Sequence, residues 1–325
     1  MNRVAITARL FAEVDRAPLA LLEKAGVEWA LNSSGKHLDE DGIIALAADS
    51  EALIAGTEPI TARLMSRLPR LRLISRVGIG LDSVDLAAAK AQGIQVAYTP
   101  DAPSTAVAEL TAAFMLSMLR GIPIADASIR RGEWSRVLGR SLSETTVGVV
   151  GVNRIGKKLI RLLAPFGPRF LGNDLVRDEA FGAEFGLQWA EKERLYREAD
   201  VITLHVPLTA DTRGMIGARE LAMMKRDAIL INTARGGVVD EAALAEALRQ
   251  GRLGGAALDV FQKEPYAGEL ARLDNCLLTC HMGSSTRSSR LRMEMEAAEN
   301  VVAFFMEGRR ATLIPEHEYD SKGQD

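Results

Sequence analysis

The chain has 325 residues, a formal net charge of −3, and is 47% hydrophobic and 26% charged. That length exceeds what one core fills, so two domains are the default, and the composition is that of an ordinary globule; the acidic balance, with a pI near 6.0, gives no support to nucleic-acid binding. No apolar run approaches the ~20 residues needed to cross a bilayer, and Arg9 and Glu13 interrupt any signal-peptide core in MNRVAITARLFAEVD, so a cytoplasmic protein with no membrane partner is expected.

In chain order, RVAITA, VEWALN, ALIAGT, LRLISRVG and IQVAYT read as strands, with helical patterns such as PLALLEKAG and ITARLMSRLP between them. They predict a small doubly wound sheet. The glycines of RVGIG (76–80) read locally as a plain turn before the helix DLAAAKAQG. STAVAELTAAFMLSMLRG (104–121) predicts a long apolar helix with Ser104 or Thr105 as cap and Gly121 as stop. It needs a partner surface, either within the chain or on another copy. A second series of strands then runs through TVGVVGV, RFLGND, VITLHV, AILINT, GAALDV and CLLTCH. After it come the helical pattern SSRLRMEMEAAENVVAFFMEG and, beyond Pro315, a polar tail, EHEYDSKGQD, expected to fray.

The stretch from Thr146 to Gly167, TVGVVGVNRIGKKLIRLLAPFG, is an apolar strand, a glycine turn and a helix. In the fingerprint G-x-G-x-x-G the glycines allow a tight turn and close approach of a pyrophosphate to the helix N-terminus. Gly151 and Gly156 fit, while Asn153 replaces the middle glycine. Asparagine tolerates positive φ well, so the turn is expected to survive, with the Asn153 side chain sharing space with the phosphates. The next strand ends at Asp174, where an acid bonds the adenosine ribose and repels a 2′-phosphate. That favours NAD over NADP, although Arg177 nearby acts the other way.

Arg235 follows AILINTA, Glu264 follows GAALDVFQK and His281 follows LLTC. A parallel sheet brings all three to its carboxyl edge, where open α/β sheets bind ligands. A guanidinium can hold a carboxylate in two parallel hydrogen bonds, an imidazole exchanges protons near neutrality, and a carboxylate on the second ring nitrogen would orient that imidazole. Glu264 precedes Pro265, which favours extended backbone and an outward-facing carboxylate. Singly, each residue is more often a surface group or a cap; their joint order points to a site for a carboxylate substrate that gains or loses a proton. Of the other histidines, His37 and His317 lie in polar surroundings, and His205 reads as a strand-end residue whose backbone passes near a ligand. Cys276 and Cys280 bracket a strand that reads as buried, too far apart along it for a disulfide, and two thiols beside one histidine lack a fourth metal ligand. They read as reduced core cysteines, and Cys280, next to His281, as an oxidation-sensitive neighbour.

With SRVGIGLDSVD (75–85), AVAELT (106–111), GVNRIG (151–156), HVPLTADTRGMI (205–216), INTARGGVVDEAAL (231–244), GGAALDVFQKEP (254–265) and LLTCHMGSST (277–286) in one order, the chain resembles the D-isomer-specific 2-hydroxyacid dehydrogenases, which include phosphoglycerate, glycerate and formate dehydrogenases. The resemblance implies an α/β protein of two doubly wound parallel-sheet domains. One is a Rossmann NAD-binding domain at 103–285. The other is a flavodoxin-like substrate domain, discontinuous over 1–102 and 286–325. It implies a catalytic triad of Arg235, Glu264 and His281. Arg154 and Ile155 would lie under the pyrophosphate, Asp174 on the ribose, Val206 beside the adenosine, Thr233 and Ala234 near the nicotinamide ribose, and Asp259 on the carboxamide; Gly151, Asn153, Gly156 and Gly283 complete the cofactor set. Gly78, Ile79 and Gly80 would offer amides to the substrate carboxylate and the nicotinamide region, with Arg76 as a further substrate contact. The long helix at 104–121 would help form a homodimer.

The implied activity is hydride transfer between NAD and C2 of a small D-2-hydroxy or 2-oxo acid such as glyoxylate or hydroxypyruvate. Phosphoglycerate dehydrogenases carry an arginine for the phosphate where this chain has Ala55 and Gly56; Arg76 is kept and Arg136 lies in a segment resembling another phosphate contact, so D-3-phosphoglycerate is the weaker alternative. An alternative of another class is an NAD(H)-sensing binding protein resembling the family's corepressor branch.

Overall fold

The computed structural model describes residues 2–306 and 312–315, and the chain divides into two compact units: one from within Met1–Pro103 and Ser285–Asp325, the other Ser104–Ser284. The sequence-expected tail beyond Pro315 lies outside the described residues.

Unit one holds β1 (Arg3–Ile6), β2 (Glu28–Leu31), β3 (Ala52–Ala55), β4 (Leu73–Arg76) and β5 (Gln95–Ala97), all parallel and ordered β2-β1-β3-β4-β5. Strand alternation divides its core. Val4, Ile6, Ile54 and Leu73 face one layer, which includes Met293, Ala297 and Val301 of the helix Arg287–Phe305; Ala5, Leu53 and Ile74 face the other, with Leu64, Leu86 and Val96. Both faces are covered, so β3 and β4 are buried throughout; β3 (ALIA) is a continuous apolar run, while β4 ends in the buried polar pair Ser75 and Arg76. Thr286 starts the Arg287–Phe305 helix as its N-cap, accepting from the Ser289 amide.

Unit two holds β6 (Thr146–Val150), β7 (Arg169–Asn173), β8 (Leu187–Trp189), β9 (Val201–Leu204), β10 (Ile229–Asn232), β11 (Gly255–Leu258) and β12 (Cys276–Leu278), all parallel and ordered β12-β11-β10-β9-β6-β7-β8. The order reverses at β6 and β9, so the loops after these strands diverge and open a crevice at the carboxyl edge. β8, three residues reading LQW, escapes the sequence pattern because one apolar-polar-apolar step is too short to signal a strand. β12 departs from expectation in burial: it is an edge strand and only half-buried.

The helix Ser104–Leu119 finds its partner surface inside its own unit. Ala108, Ala112, Met115 and Leu119 pack with Val147, Val149, Ile160 and Ile231. Gly121, at φ +61, is left-handed and turns the chain into the helix Ile122–Arg130. Among the described residues no single helix is long and apolar enough to cross a membrane.

The helix Lys192–Glu198 lies so close to β6 that a Cβ added at Gly148 would stand 2.6 Å from Leu195 Cδ2 and 2.9 Å from the Ala199 Cβ. Gly148→Ala is therefore expected to destabilise unit two by about 1–3 kcal/mol through overpacking, read as a lower denaturation midpoint with an unchanged far-ultraviolet spectrum.

Candidate active site

At the crevice the turn after β6 presses on the turn after β9. A Cβ on Gly151, whose φ is +93, would lie 2.5 Å from the His205 carbonyl oxygen, and one on Gly156 would lie 2.3 Å from the Gly151 carbonyl oxygen. Glycine is required at both. Asn153 corrects the expectation of a left-handed turn: its φ is −94, and it is the N-cap of the helix Arg154–Leu163. Its Oδ1 accepts from the Ile155 amide at 3.2 Å and its Nδ2 donates to the His205 carbonyl. An N-cap adopts extended backbone, so capping decides the conformation here. Asp174 follows β7 and accepts from the Val176 amide, while Arg177 turns to Glu191 in an exposed 2.8 Å ion pair. Two obligatory glycines, a capped helix N-terminus and an acid beyond the second strand form a cradle that fits a dinucleotide.

Three further loops carry the polar set. A Cβ on Gly236 would meet the Phe261 carbonyl carbon at 1.9 Å, so the loops after β10 and β11 touch backbone to backbone just past Arg235. Glu264 does not simply face outward: Oε1 accepts from the Phe261 amide at 3.0 Å and Oε2 meets His281 Nδ1 at 2.8 Å. Its peptide bond to Pro265 is cis. His281 has φ +53, a left-handed conformation uncommon outside glycine. Its amide donates to the Asp259 carbonyl at 2.8 Å, while the buried Asp259 carboxylate takes Met282 N at 2.8 Å, Gly283 N at 2.7 Å and the Thr279 hydroxyl. Gly283 lets that carboxylate close in, since a Cβ there would stand 3.0 Å from Oδ2. Arg235 Nη1 donates to the Ala234 carbonyl at 2.7 Å.

The family model described as D-isomer specific 2-hydroxyacid dehydrogenase, NAD binding domain, matches residues 112–283. A glyoxylate reductase from Aeropyrum pernix is 39% identical over 81% of this chain and 82% of its own. A D-3-phosphoglycerate dehydrogenase from Methanocaldococcus jannaschii is 40% identical over 88% of this chain but 54% of its own. A D-lactate dehydrogenase from Aquifex aeolicus, solved with NAD and lactic acid, superposes with a TM-score of 0.80 at 30% identity, covering 93% of this chain and 95% of that one. The chain belongs to the D-isomer specific 2-hydroxyacid dehydrogenase family. It is an NAD-dependent oxidoreductase acting between 2-hydroxy and 2-oxo acids.

Within this dehydrogenase, Val206 is half-buried against the core, Thr233 is buried, and the Ala234 amide donates to Asn232 Oδ1 at 3.0 Å. Asn232 was not singled out by sequence: buried at the end of β10, it also donates to the Arg235 carbonyl at 2.8 Å and so brackets the turn that carries the arginine. Asparagine after a strand and two residues before a backbone N–H is the signal that could have found it. Thr111 was missed too. Its hydroxyl donates to the Val107 carbonyl at 2.8 Å, so at 2.9 Å from Thr233 Oγ1 it must accept the Thr233 proton.

In unit one, Arg76 is buried and its guanidinium braces its own turn, donating to the Gly80 carbonyl through Nε at 3.1 Å and Nη2 at 2.9 Å and to the Ala55 carbonyl through Nη1 at 3.2 Å. Gly78, at φ +142, gives its amide to Thr99 Oγ1 at 2.8 Å. The amide that resemblance offers to a substrate carboxylate is thus committed to Thr99; Ile79 and Gly80 follow it in the same turn after β4. The cysteines are free, but Cys280 is exposed and so is not a core residue; burial pushes the half-buried Cys276 thiol up to about 12. Among the described residues no group of three or more His, Cys, Asp or Glu is placed to hold a metal.

His205 is buried, with Nε2 3.0 Å from Thr203 Oγ1 and Nδ1 without a partner. Burial lowers its pKa from 6.5 to about 3, so the folded chain keeps it neutral where the unfolded chain would protonate it. Stability is full above the unfolded value and falls as pH drops from 6.5 towards 3, by up to about 1.4 kcal/mol per unit. Denaturation of wild type and His205→Gln at pH 7 and pH 5 should show a smaller acid loss in the variant, by about 2 kcal/mol.

Proposed function

We propose that this dehydrogenase reduces small, unphosphorylated 2-oxo acids of the glyoxylate or hydroxypyruvate type, with Arg235, Glu264 and His281 as its reacting set, and that it works in the cytoplasm as a homodimer. The observation that carries this reading is the 2.8 Å contact between His281 Nδ1 and Glu264 Oε2. A carboxylate accepting at Nδ1 keeps a proton on that nitrogen, which leaves Nε2 to exchange one with a substrate oxygen. In reduction the imidazolium gives its Nε2 proton to the carbonyl oxygen; in oxidation neutral Nε2 takes the hydroxyl proton, and Glu264 stabilises the charge that forms on the ring. Bound NADH supplies the electron pair and hydrogen that C2 gains. Arg235 would hold the substrate carboxylate in two parallel bonds, and the resemblance adds the amides of Ile79 and Gly80.

The preference for an unphosphorylated acid rests on the turn after β3. Ala55 and Gly56 stand where phosphoglycerate dehydrogenases carry arginine, and the Gly56 amide is held at 2.9 Å by the buried carboxyl group of Glu58, so the turn holds a carboxyl group and no guanidinium. Asp174, with Arg177 drawn off to Glu191, supports NAD over NADP. A reducing compartment fits the two unpaired thiols. For the dimer, the segment after the helix Ser104–Leu119 leaves Ile122 (53% exposed), Ile129 (54%), Trp134 (84%) and Leu138 (100%) as exposed apolar side chains that a second copy would cover; light scattering should read about twice 35.2 kDa, and a monomer would remove that part.

NADH oxidation against glyoxylate, hydroxypyruvate, phosphohydroxypyruvate and pyruvate tests the reaction, with one of the first two expected to exceed the phosphorylated acid in kcat/KM by about tenfold or more, roughly 1.4 kcal/mol. His281→Ala should lose about 10²–10⁴ in turnover with NADH affinity and circular dichroism unchanged, and Arg235→Lys should chiefly raise KM. Undiminished turnover in the histidine variant would sink the assignment, and NADH binding without turnover of any acid would favour the sensor.

A further inference from the structure

We propose that Asn153 is an internal stand-in for the cofactor's pyrophosphate, so that NAD binds this dehydrogenase by displacing a side chain and not by capturing a free helix terminus. The inference rests on the reading of the turn after β6 as the pyrophosphate site.

The first turn of the helix Arg154–Leu163 offers backbone N–H groups that lack intrahelical acceptors, and an anion is the natural partner for them. The Ile155 amide, one of the two positions that resemblance puts under the pyrophosphate, already has an acceptor: Asn153 Oδ1, at 3.2 Å. A glycine at 153, the residue the fingerprint expects, has no side chain with which to make that bond. The same carboxamide donates through Nδ2 to the His205 carbonyl, which also packs on Gly151. That second bond fixes the rotation of the carboxamide and turns Oδ1 towards the amide. One exposed residue therefore closes the helix and pins the glycine turn to the strand end after β9.

A phosphate oxygen and Oδ1 compete for one N–H, so the bond to Asn153 must be given up before the Ile155 amide can be offered to the ligand. The free protein gains order in its glycine turn, and every ligand that carries a pyrophosphate loses the affinity spent in displacing the carboxamide. A ligand that carries only the adenosine end is indifferent to it.

The test is calorimetric binding of NADH, ADP-ribose and adenosine to wild type, Asn153→Gly and Asn153→Ala, together with thermal unfolding of each protein without ligand. Both variants should bind NADH and ADP-ribose about three- to tenfold more tightly, leave adenosine unchanged, and unfold a few degrees lower in the free state. Asn153→Ala, which keeps the Cβ, carries the test alone if the glycine variant does not fold. Unchanged or weaker ADP-ribose binding in the folded variants overturns the proposal, as does an equal gain for adenosine. Failure of wild type to bind ADP-ribose at all would instead remove the underlying cofactor reading.

Discussion

The carboxylate of Asp259 governs the geometry of the His281 turn and, through it, of the His281–Glu264 contact. It is buried at the end of β11, and its charge is met by two backbone amides and a hydroxyl, all from the 279–283 turn. A buried carboxylate is costly without such donors, and their hydrogen bonds to a charged group are among the stronger ones a fold can make. The arrangement does more than neutralise Asp259. It holds His281 in a left-handed conformation and points its ring at Glu264, whose own position is set by the Phe261 amide on the same loop as Asp259. One short segment after β11, from Asp259 to Glu264, thus supplies both the anchor of the histidine turn and the partner of the imidazole.

The glycine turn after β6 is organised on the same economy, around the backbone of His205. Its carbonyl is packed by Gly151 and accepts from Asn153, while its ring is buried and neutral, joined to Thr203 on its own strand. Burying an imidazole with one nitrogen unpartnered carries an acid-dependent cost. In return β9 has a bulky, well-packed terminus at the topological switch point, against which the glycine turn can rest. In both turns a side chain that reads as chemistry in the sequence also builds backbone. Asp259 shapes a turn whatever else it contacts, and Asn153 caps a helix.

Unit one shows the same pattern in the turns after β3 and β4. Arg76 donates hydrogen bonds to the carbonyls of Ala55 and Gly80, and the Glu58 carboxyl group accepts from the Thr7 hydroxyl and the Gly56 amide. The turns after β3 and β4 are therefore braced from within, one by a carboxyl group and the other by a guanidinium. A phosphate-binding cation is absent from the first of them by sequence, and the cation of the second is turned to its own backbone.

The architecture was legible in the sequence because continuous apolar runs separated by helical patterns are what a sheet covered on both faces requires; only the three-residue β8 was too short to register. The order Arg235, Glu264, His281 was legible because parallel strands deliver their carboxyl ends to one edge whatever their lateral order. The sequence by itself could not decide how side chains divide their hydrogen bonds. It suggested positive φ at Asn153, where capping imposes extended backbone, and a core location for Cys280, which stands exposed at the sheet edge. It was silent on Asn232 and Thr111, whose partners lie across a turn and on another helix. Periodicity and residue order are one-dimensional properties, and they determine the fold and which polar residues reach the sheet's carboxyl edge. The commitment of each donor and acceptor depends on neighbours brought together only when the strands are stacked, and the tertiary structure alone decided it.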